Sequence, residues 1–508
     1  ENWYTASQQA IPEQVLLSIK RSGACKARLV KQGFKEDRTT ADGPNFNYYS
    51  NVVRFSAVRS ILARRRTMDR LLCTIDVQTA FLQSQPYPDG MVKYLSCKNP
   101  ITGKWHYYEQ SGPIYGEASA PVRWEDTLAP WIESIGFHRG QNEPAAFWHH
   151  TRDIVLLTFV DDLLIDGYQA DIDWFLRKIN GRFECKDEEY LRPGQDLDYL
   201  GMEVSIHHGN IHLSMKKYIE NACDILNIKL SAKIQRPIHQ PIDTESRPLT
   251  YPEHKHFLTA VGMLGWLFNT VRMDVSYAYS RIAQHSATPT ESALKAVHDV
   301  FRYLHNTSDL SICINSRQED RDIASIHNRT SPTDEWIFYS DTDHAGNREK
   351  QNKRRSQNGL IGTLNSAPVL WYSKASSVAF ASPDIGEAHA DMSSASVESY
   401  GAGNATMEIL GFSYVSEEMG MVIPKPYILK MDNKAAIIFT QGSAQKTKMK
   451  HIDCRQEWVK TLRDKKIVKA EHVPTKENIA DLMTKILDIK TFTYLRDKCM
   501  KPLPPSDK

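Results

Sequence analysis

Two adjacent aspartates, Asp161 and Asp162, stand between two apolar runs in the segment 154–165. The runs are rich in β-branched residues, and Asp166-Gly167 closes the segment with a turn signal. The pattern therefore predicts two buried strands of a hairpin, with the aspartates at or beside the bend. Neighbouring buried carboxylates repel each other and lose hydration, and a divalent cation such as Mg²⁺ relieves both effects. A bare pair is more often an acidic surface turn, but the flanking apolar runs favour a buried site.

A third aspartate, Asp76, lies in a second apolar strand pattern at 71–83. A strand aspartate opposite a strand-turn pair is the minimum needed to hold two metal ions for in-line phosphoryl transfer. Here the sequence resembles a known family. The segment 159–162, Phe-Val-Asp-Asp, resembles the catalytic box of reverse transcriptases. The segment 76–82, Asp-Val-Gln-Thr-Ala-Phe-Leu, resembles the first aspartate motif of copia-type (Pseudoviridae-like) LTR retrotransposon Pol polymerases.

The resemblance implies a nucleotide site built from three further segments. Lys26 and Arg28 alternate onto one face of a predicted hairpin strand and match the strand that holds the incoming nucleotide. Arg28 is favoured because its guanidinium can bind phosphate oxygens in a bidentate way, although an exposed edge-strand charge pair is the alternative. Phe81, five residues after Asp76, matches the aromatic residue that excludes a 2′-hydroxyl, and its position also fits a core residue. Ser119 lies in a motif at 114–124 that resembles the template-and-sugar-contacting loop, where it can cap a helix.

The loop around Ser119 departs from the family's pattern. Copia-type enzymes commonly carry Leu-Lys-Gln where this chain has Glu117, Ala118 and Ser119, so the template contact is in question. An acid at Glu117, near a phosphate path, is unexpected. Lys186 is a candidate general acid for the leaving pyrophosphate. The residues that resemble the primer-grip hairpin, where a glycine allows close approach of a primer backbone, are Tyr199, Leu200 and Gly201.

A second set of carboxylates follows these motifs. Asp341 ends one strand pattern, Asp432 follows another, and Asp481 lies in a helical segment. The segments resemble the ribonuclease H domain that follows copia-type polymerases, whose four acids hold two Mg²⁺ ions and cleave the RNA of an RNA–DNA hybrid. The catalytic and metal-binding residues that the two resemblances imply are Asp76, Asp161, Asp162, Asp341, Glu398, Asp432 and Asp481, with Mg²⁺ as the cofactor, two ions at each site, and Mn²⁺ as the alternative.

Two residues compete for the place of the helix-borne glutamate. Glu387 superficially echoes the family's Thr-Glu-Ala-Glu signature. Glu398 agrees with the family's pattern without a gap when the count runs back from 417–420, and residues 382–392 then become an insertion. Glu398 is favoured, and its helix carries Gly401 and Ala405, small residues that would let the helix pack closely on a sheet.

These residues require a fold that brings them together. The motifs predict an α+β or α/β multidomain chain: a right-hand polymerase with fingers, palm and thumb, followed by a ribonuclease H-like domain. A polar, proline-containing linker is expected at 229–254, followed by three helices near 254–269, 274–284 and 290–306. The predicted divisions are 1–228 for fingers and palm, 229–330 for linker and helical thumb or connection, 331–490 for the ribonuclease H-like domain, and 491–508 for a tail, disordered from 501 on.

The composition limits the ways in which the chain can bind nucleic acid. Lys and Arg total 63 and Asp and Glu total 61, a net charge of +2, so binding must come from local basic runs. Eight cysteines without Cys-x-x-Cys spacing argue against a zinc ribbon or a disulfide framework and favour a reducing compartment. No apolar run approaches transmembrane length, and no signal peptide opens the chain. The first residue is Glu, so we expect a piece of a longer polyprotein or a truncated gene model.

The resemblance covers roughly residues 15–490 and implies an RNA-directed DNA polymerase with ribonuclease H activity that copies retrotransposon RNA into cDNA. It implies as partners an RNA template, a DNA primer, the RNA–DNA hybrid, dNTPs and a tRNA primer, with no membrane and with dimerisation left open. The implied location is a cytoplasmic virus-like particle, with the nucleus as the alternative. Two rival interpretations are a decayed or domesticated copy that only binds nucleic acid, and a stand-alone ribonuclease H with a structural palm.

Overall fold

The computed structural model describes residues 9–19, 25–64, 70–88, 90–99, 101–230, 234–314, 335–343, 355–379, 394–440 and 450–505. The chain divides into two compact units. The first is Glu1–Val53 with Cys73–Glu189, and the second is Arg54–Leu72 with Tyr190–Lys508. The two units divide the chain at positions other than 228, 330 and 490. The domain divisions predicted at those three positions stay predictions. Among the helices described, none is both long and apolar enough to cross a membrane.

The first unit opens with a four-stranded sheet. Its strands lie in the order Cys25–Lys31, Ile11–Ile19, Lys93–Lys98 and Trp105–Gln110. The first two strands form the antiparallel hairpin predicted around Arg28, which lies opposite Leu16 in the register. A 3₁₀ turn at Gly33–Lys35 and the short helix Arg38–Ala41 follow it. The predicted hairpin at the start of the chain is confirmed.

A six-stranded sheet carries the Asp-Asp pair. Its strands lie in the order Glu189–Tyr190, Arg70–Asp76, Asp162–Tyr168, Ile154–Phe159, Ala146–His149 and Phe137–Arg139. The hairpin predicted at 154–165 is confirmed: its strands pair antiparallel with Leu156 opposite Ile165, and both side chains are buried because the sheet is covered. The first unit also contains the helices Ala120–Ser134 and Gln169–Asn180. Ala80–Gln83 forms a 3₁₀ turn after the Asp76 strand.

The second unit contains a five-stranded sheet in the order Leu197–Tyr199, Met202–His207, Asn210–Ser214, Leu310–Ile314 and Lys501–Pro502. The last strand corrects the expectation of a disordered tail from 501 on. Ser311 lies opposite Lys501, and Leu503 N donates a hydrogen bond to Asp309 O at 2.7 Å. The helix Ile489–Cys499 leads directly into this strand. The strand pairs with Leu310–Ile314 despite the proline-rich composition of the tail.

Helices of this unit agree with the sequence pattern. Those observed are Phe55–Arg64, Lys216–Ile225, Tyr251–Thr270, Ser276–Ala283 and Glu291–Asn306, with a 3₁₀ turn at Met273–Val275. The last three of the helices match the three predicted after the linker. Thr250 and Glu253 form a reciprocal capping box at the start of the first of them, which satisfies backbone N–H groups that a helix end leaves open. The described residues from 229 to 250 contain neither helix nor strand, as expected of a linker.

A second five-stranded sheet completes this unit. Its strands lie in the order Ala367–Ala379, Arg355–Leu364, Trp336–Asp343, Tyr427–Met431 and Val468–His472. The first three pair antiparallel, and the last two run parallel to the central strand. Around them lie the helices Ser394–Glu418, Lys434–Thr440 and Lys450–Asp464 and the 3₁₀ turns Thr475–Glu477 and Ile479–Met483.

Candidate active sites

The aspartate pair sits on a tight turn whose backbone is strained. Val160 and Asp161 form the two-residue connection between the hairpin strands, and Val160 has φ 58°, a left-handed conformation that β-branched residues rarely adopt. The buried indole of Trp124 donates a hydrogen bond from Nε1 to Val160 O at 2.7 Å. This hydrogen bond holds the Val160 carbonyl in the strained turn.

The structure brings Asp76 to this turn. Val77 N, the backbone group next to Asp76, donates a hydrogen bond to Asp161 O at 2.9 Å. Burial, followed by the nearby charge of Asp76, raises the pKa of the Asp161 carboxyl. Lys186 Nζ lies 2.6 Å from Asp76 Oδ1, where it offsets part of this negative charge. Asp162 is the first residue of the returning strand, directly after Asp161.

The predicted nucleotide residues Arg28 and Phe81 both contact a tyrosine, Tyr115. The Arg28 guanidinium carbon is 4.9 Å from the Tyr115 ring centroid, and the Phe81 and Tyr115 centroids are 5.1 Å apart. Burial raises the pKa of Tyr115, and the charges of Asp161 and Asp76 add to this effect. Arg28, Phe81 and the two aspartates therefore share one environment. The side chain of Lys26 lies outside the described residues.

Tyr115 is a site residue to which the sequence interpretation gave no role. Its signal was present: an aromatic residue directly before Gly116, in the motif that resembles the template-and-sugar-contacting loop. Trp124, at the end of the same motif, is another site residue to which the sequence interpretation gives no role. Its position beneath the turn becomes visible only when the helix and the hairpin are placed together.

The prediction that Ser119 binds nucleotide is wrong. Ser119 is completely buried, and its Oγ donates a hydrogen bond to Glu117 Oε1 at 2.7 Å. It occupies the N-cap position of the helix Ala120–Ser134, but its Oγ accepts a hydrogen bond from Arg123 Nε at 3.3 Å and none from a backbone N–H of the first turn, so the capping prediction is also wrong. The reason is the backbone, because Ser119 has φ −85° and ψ −11°, a helical conformation, whereas a capping residue normally has an extended one.

Glu117 itself does not face a phosphate path. Its carboxylate is buried and accepts a hydrogen bond from Lys93 Nζ at 2.6 Å. The departure of the motif at 117–119 is thus a satisfied internal network and gives no support to the interpretation of the chain as a decayed copy. The other departure, at 382–392, lies outside the described residues.

The hairpin predicted to hold a primer is present in the second unit. Leu200 and Gly201 form its turn with φ 53° and 77°, and Trp266 Nε1 donates a hydrogen bond to Leu200 O at 3.3 Å. Tyr199, however, is only 3% exposed. Its side chain is part of the unit's core, so a primer could be contacted by the two turn residues and not by the Tyr199 ring.

A carboxylate cluster lies in the second sheet of the second unit. Asp341 stands in the strand Trp336–Asp343, and Asp432 follows the neighbouring parallel strand. Asp481 comes from a 3₁₀ turn at Ile479–Met483 rather than from a longer helix. One carboxylate oxygen of each residue lies within 4.8 Å of the others. The parallel pairing explains the convergence, because neighbouring parallel strands present equivalent ends on the same edge of the sheet.

Two neighbours of Asp481 complete the cluster. Lys485 Nζ lies 3.0 Å from Asp481 Oδ1 and 3.5 Å from Asp341 Oδ2, and the Thr484 hydroxyl donates a hydrogen bond to Asp341. Burial alone would lower the pKa of Lys485, but Asp341 and Asp481 outweigh it and raise the pKa. The sequence interpretation gave Lys485 no role, although an Asp and a Lys four residues apart on a helical segment commonly pair.

The favoured glutamate, Glu398, joins this cluster. Burial, followed by the charges of Asp341 and Asp432, raises the pKa of Glu398 to about 8. Burial and Asp341 likewise raise the pKa of Asp481 to about 7. Its competitor, Glu387, lies outside the described residues. Shifts of this size in one buried group are typical of a functional site.

Small residues bring the Glu398 helix to the sheet, as predicted. A Cβ on Gly401 would lie 1.9 Å from Thr342 Oγ1, so the close approach requires glycine at this position. Ala405, one turn further on, is fully buried. On the opposite side, a Cβ on Gly359 would lie 2.5 Å from Met483 Cβ, beside the 3₁₀ turn that carries Asp481.

The residues of this cluster fit a divalent metal ion. Three carboxylates of different elements converge within 4.8 Å, and hard oxygen ligands of this kind suit Mg²⁺ or Mn²⁺. Burial raises the pKa of both Asp341 and Glu398, and the charge of neighbouring carboxylates adds to the effect, so a bound cation would stabilise their ionised forms. Asp341, Asp432 and Asp481 can therefore hold a metal ion.

Sequence comparison connects these sites to known proteins. Residues 5–240 match the family model described as reverse transcriptase (RNA-dependent DNA polymerase). The chain is 25% identical, over 95% of its length, to the retrovirus-related Pol polyprotein from transposon TNT 1-94 of Nicotiana tabacum. It is 26% identical, again over 95% of its length, to the corresponding polyprotein from transposon RE1 of Arabidopsis thaliana. The resemblance to copia-type retrotransposon Pol polyproteins is confirmed.

The chain spans 35% of the length of the first of these polyproteins and 31% of the second. Among solved structures it is similar to a foamy viral protease–reverse transcriptase in complex with RNA/DNA hybrid. That likeness has a TM-score of 0.48 and 8% identity, and covers 94% of this chain and 52% of the other. The family match over 5–240 supports the polymerase part of the predicted fold, and it contains both Asp76 and the Asp161-Asp162 pair.

Proposed function

We propose that the chain is an RNA-directed DNA polymerase that carries a second, ribonuclease H site. The observation that carries the polymerase is the meeting of Asp76 and Asp161 at the strained hairpin turn, with Arg28 and Phe81 around Tyr115 in the same environment. The match of residues 5–240 to the reverse transcriptase family supports the same activity.

In the proposed polymerase reaction, the 3′-hydroxyl of a primer forms a new bond to the α-phosphorus of a dNTP, and the bond to pyrophosphate breaks. Asp76, Asp161 and Asp162 would hold the metal ions, which lower the pKa of the attacking hydroxyl and offset charge on the phosphates. Arg28 can bind the triphosphate through its guanidinium. Lys186, whose Nζ lies 2.6 Å from Asp76 Oδ1, would supply a proton to the leaving pyrophosphate.

Phe81 would select the sugar. It packs against Tyr115 at 5.1 Å, so its ring has little freedom to move away from a 2′-hydroxyl. A fixed aromatic wall excludes the bulkier ribose by steric repulsion and accepts deoxyribose. The two turn residues of the second unit, Leu200 and Gly201, offer a backbone surface for the primer strand.

The proposed nuclease site uses Asp341, Glu398, Asp432 and Asp481. Bound divalent ions would activate the attacking water and stabilise the leaving 3′-oxygen of the RNA strand. The residues themselves supply a buried anionic cleft, and Lys485 holds two of the carboxylates in place. We include in the proposal RNA–DNA hybrid as the substrate and an RNA template, DNA primer and dNTPs as the polymerase's partners.

Two parallel assays test the proposal on the full chain with Mg²⁺. One measures dTTP incorporation on a poly(rA) template with an annealed DNA primer, and the other measures cleavage of RNA in a labelled RNA–DNA hybrid. Asp161→Asn should abolish extension and leave cleavage unchanged, whereas Asp432→Asn should abolish cleavage and leave extension unchanged. Asp171→Asn, a surface acid paired with Arg152, is the matched control and should alter neither.

The outcomes separate the two halves of the proposal. Loss of both activities in either variant would show one shared site or a folding defect, which the unfolding midpoint distinguishes. A wild-type chain that binds the hybrid tightly but neither extends nor cleaves would reject catalysis and favour a binding role.

A further inference from the structure

Glu117 carries a carboxylate that is fully buried in the first unit. Its oxygens accept hydrogen bonds from Lys93 Nζ at 2.6 Å, Tyr87 Oη at 2.6 Å, Ser119 Oγ at 2.7 Å and Gln110 Nε2 at 2.5 Å. Burial alone would raise the pKa of Glu117, but Lys93 and the other donors outweigh it and lower the pKa. Glu117 is therefore an anion whose position is determined by four partners.

Lys93 connects Glu117 to a second acid, Asp42. Lys93 Nζ lies 2.9 Å from Asp42 Oδ1, which also accepts a hydrogen bond from Arg123 at 2.8 Å. The members of this ion cluster are Glu36, Asp42, Glu117, Lys31, Lys93 and Arg123. Three acids face three bases, so the cluster is neutral as a whole, and removal of one member leaves an uncompensated buried charge.

The backbone beside Glu117 is fixed against the strand Cys25–Lys31. Lys31 N donates a hydrogen bond to Tyr115 O at 2.8 Å. Gly116 has φ 85°, and a Cβ there would lie 2.1 Å from Lys31 O, so this approach requires glycine. The Glu117 side chain is therefore two residues along the backbone from Tyr115, and the segment between them is held against the strand that carries Lys31.

Tyr115 is the point at which the ion cluster meets the proposed nucleotide site. Its ring contacts both Arg28 and Phe81, at 4.9 and 5.1 Å. The carboxylates of Asp161 and Asp76 are near enough to raise the pKa of its hydroxyl. Tyr115 therefore contacts both residues proposed above, Arg28 for the triphosphate and Phe81 for the sugar.

We propose that Glu117, held by Lys93, is a positioning residue for the incoming dNTP: it fixes Tyr115 and, through Tyr115, the spacing of Arg28 and Phe81. The inference rests on the proposed polymerase function and deepens it. Glu117 is also the position at which the chain departs from the family's motif, where copia-type enzymes commonly carry leucine.

Three variants of the full chain test this proposal: Glu117→Gln, Lys93→Met, and the double variant Glu117→Leu/Lys93→Met. The double variant removes one acid and one base and keeps the cluster neutral. Asp171→Asn serves as the control. The first measurement is the Kd of dTTP for the chain on an RNA template with a dideoxy-terminated DNA primer in Ca²⁺. The second is KM and kcat for dTTP with an extendable primer in Mg²⁺.

We expect each single variant to raise the Kd and KM for dTTP by roughly 10-fold and to change kcat by less than about 3-fold. The double variant should return to within about 3-fold of the wild type. In the single variants, UTP should also compete better with dTTP, because Phe81 loses its fixed neighbour. The control should match the wild type in all of these measurements.

Three results would overturn the proposal. The first is an unchanged Kd in both single variants while their unfolding midpoints fall, since the cluster would then be structural only. The second is a double variant no better than the single ones. The third concerns single variants that do not fold. A double variant that then also fails to fold, or that folds without binding dTTP, would overturn the proposal. A wild-type chain that binds dTTP without extending a primer would reject the proposed polymerase activity, and the Kd comparison would still decide the positioning role of Glu117. A wild-type chain that binds no dTTP would overturn both proposals.

Discussion

The guanidinium carbon of Arg59 lies 3.6 Å from the ring centroid of Trp371, in the interior of the second unit. The same guanidinium donates hydrogen bonds to Val369 O at 2.9 Å, Asn269 O at 2.6 Å and Thr270 O at 2.8 Å. Burial holds the pKa of Arg59 well below its usual range. One planar cation thus joins a helix, the end of a second helix and a strand.

Arg59→Lys should destabilise the second unit by about 2–4 kcal/mol, because an ammonium cannot keep both the ring contact and all three carbonyl contacts. Chemical denaturation followed by tryptophan fluorescence measures the change. Lys374→Ala is the control, since its partner Glu408 is exposed and the pair contributes less than about 1 kcal/mol. Equal effects of the two substitutions would contradict the assigned role.

Gly401→Ala should separate the Glu398 helix from the sheet. The new Cβ would lie 1.9 Å from Thr342 Oγ1, and relief of that clash costs about 1–3 kcal/mol. We expect RNA cleavage to fall by at least about 10-fold while primer extension is retained. Gly411→Ala in the same helix meets nothing within 4 Å and should instead stabilise by about 0.5–1 kcal/mol. Cleavage unchanged in the Gly401 variant would show that the close approach is dispensable.

Lys485→Met should change the response of the chain to divalent ions. Without the ammonium, the carboxylates of Asp341 and Asp481 repel each other, so the unfolding midpoint in EDTA should fall. Added Mg²⁺ or Mn²⁺ should then raise the midpoint by more than it does in the wild type, because the ion supplies the missing charge. Differential scanning fluorimetry with and without metal measures both effects, and Lys374→Met should respond as the wild type does. Parallel metal titrations for Lys485→Met and wild type would count against this account.

The His256–His298 pair predicts a pH dependence of stability. Their Nε2 atoms are 3.0 Å apart, and burial, with the charges of His256 and Arg302, lowers the pKa of His298 to about 4. An unfolded histidine has a pKa near 6.5, so the unfolded chain binds more protons between pH ~4 and ~6.5. The stabilisation from neutral His298 is therefore complete above pH ~6.5 and is lost as the pH falls toward ~4.

His298→Gln should remove this dependence and keep a hydrogen-bonding side chain. The stability difference between wild type and variant should shrink by about 1–2 kcal/mol between pH 7 and pH 4, after allowance for partial exposure. Urea unfolding at closely spaced pH values gives this difference directly. A constant difference across the range would mean that His298 titrates alike in the folded and unfolded chain.

Sequence patterns were sufficient where the chemistry and the element are both local. The turn at Asp161 follows from two β-branched runs around a short polar break, and Gly401 follows from its spacing to Glu398. Ser119 shows the limit. Its partner Glu117 is two residues away, but the donors that bury Glu117, among them Lys93 and Gln110, come from other strands. No local pattern states that this acid turns inward, so the resemblance to a template-contacting motif assigned Ser119 the wrong environment.

The end of the chain shows the same limit for the fold. A segment with three prolines in its last eight residues has the composition of a disordered tail. Lys501 and Pro502 nevertheless add a strand to an open sheet edge, beside Ser311. The information lies in the unpaired edge of Leu310–Ile314, not in the tail itself. Proline is tolerated because an edge strand leaves one row of backbone groups without a sheet partner.

The stretch Tyr115–Trp124 is anchored at both ends. Tyr115 packs against Arg28 and Phe81, and Trp124 holds the carbonyl of Val160, with the start of a helix between Tyr115 and Trp124. One residue inserted into that helical start would turn Trp124 by about 100° around the helix axis and remove its indole from the turn. The number of residues between Tyr115 and Trp124 therefore determines whether both can make their contacts. Substitutions within the stretch leave this spacing intact, whereas a change in its length would separate Tyr115 from the turn that carries Asp161.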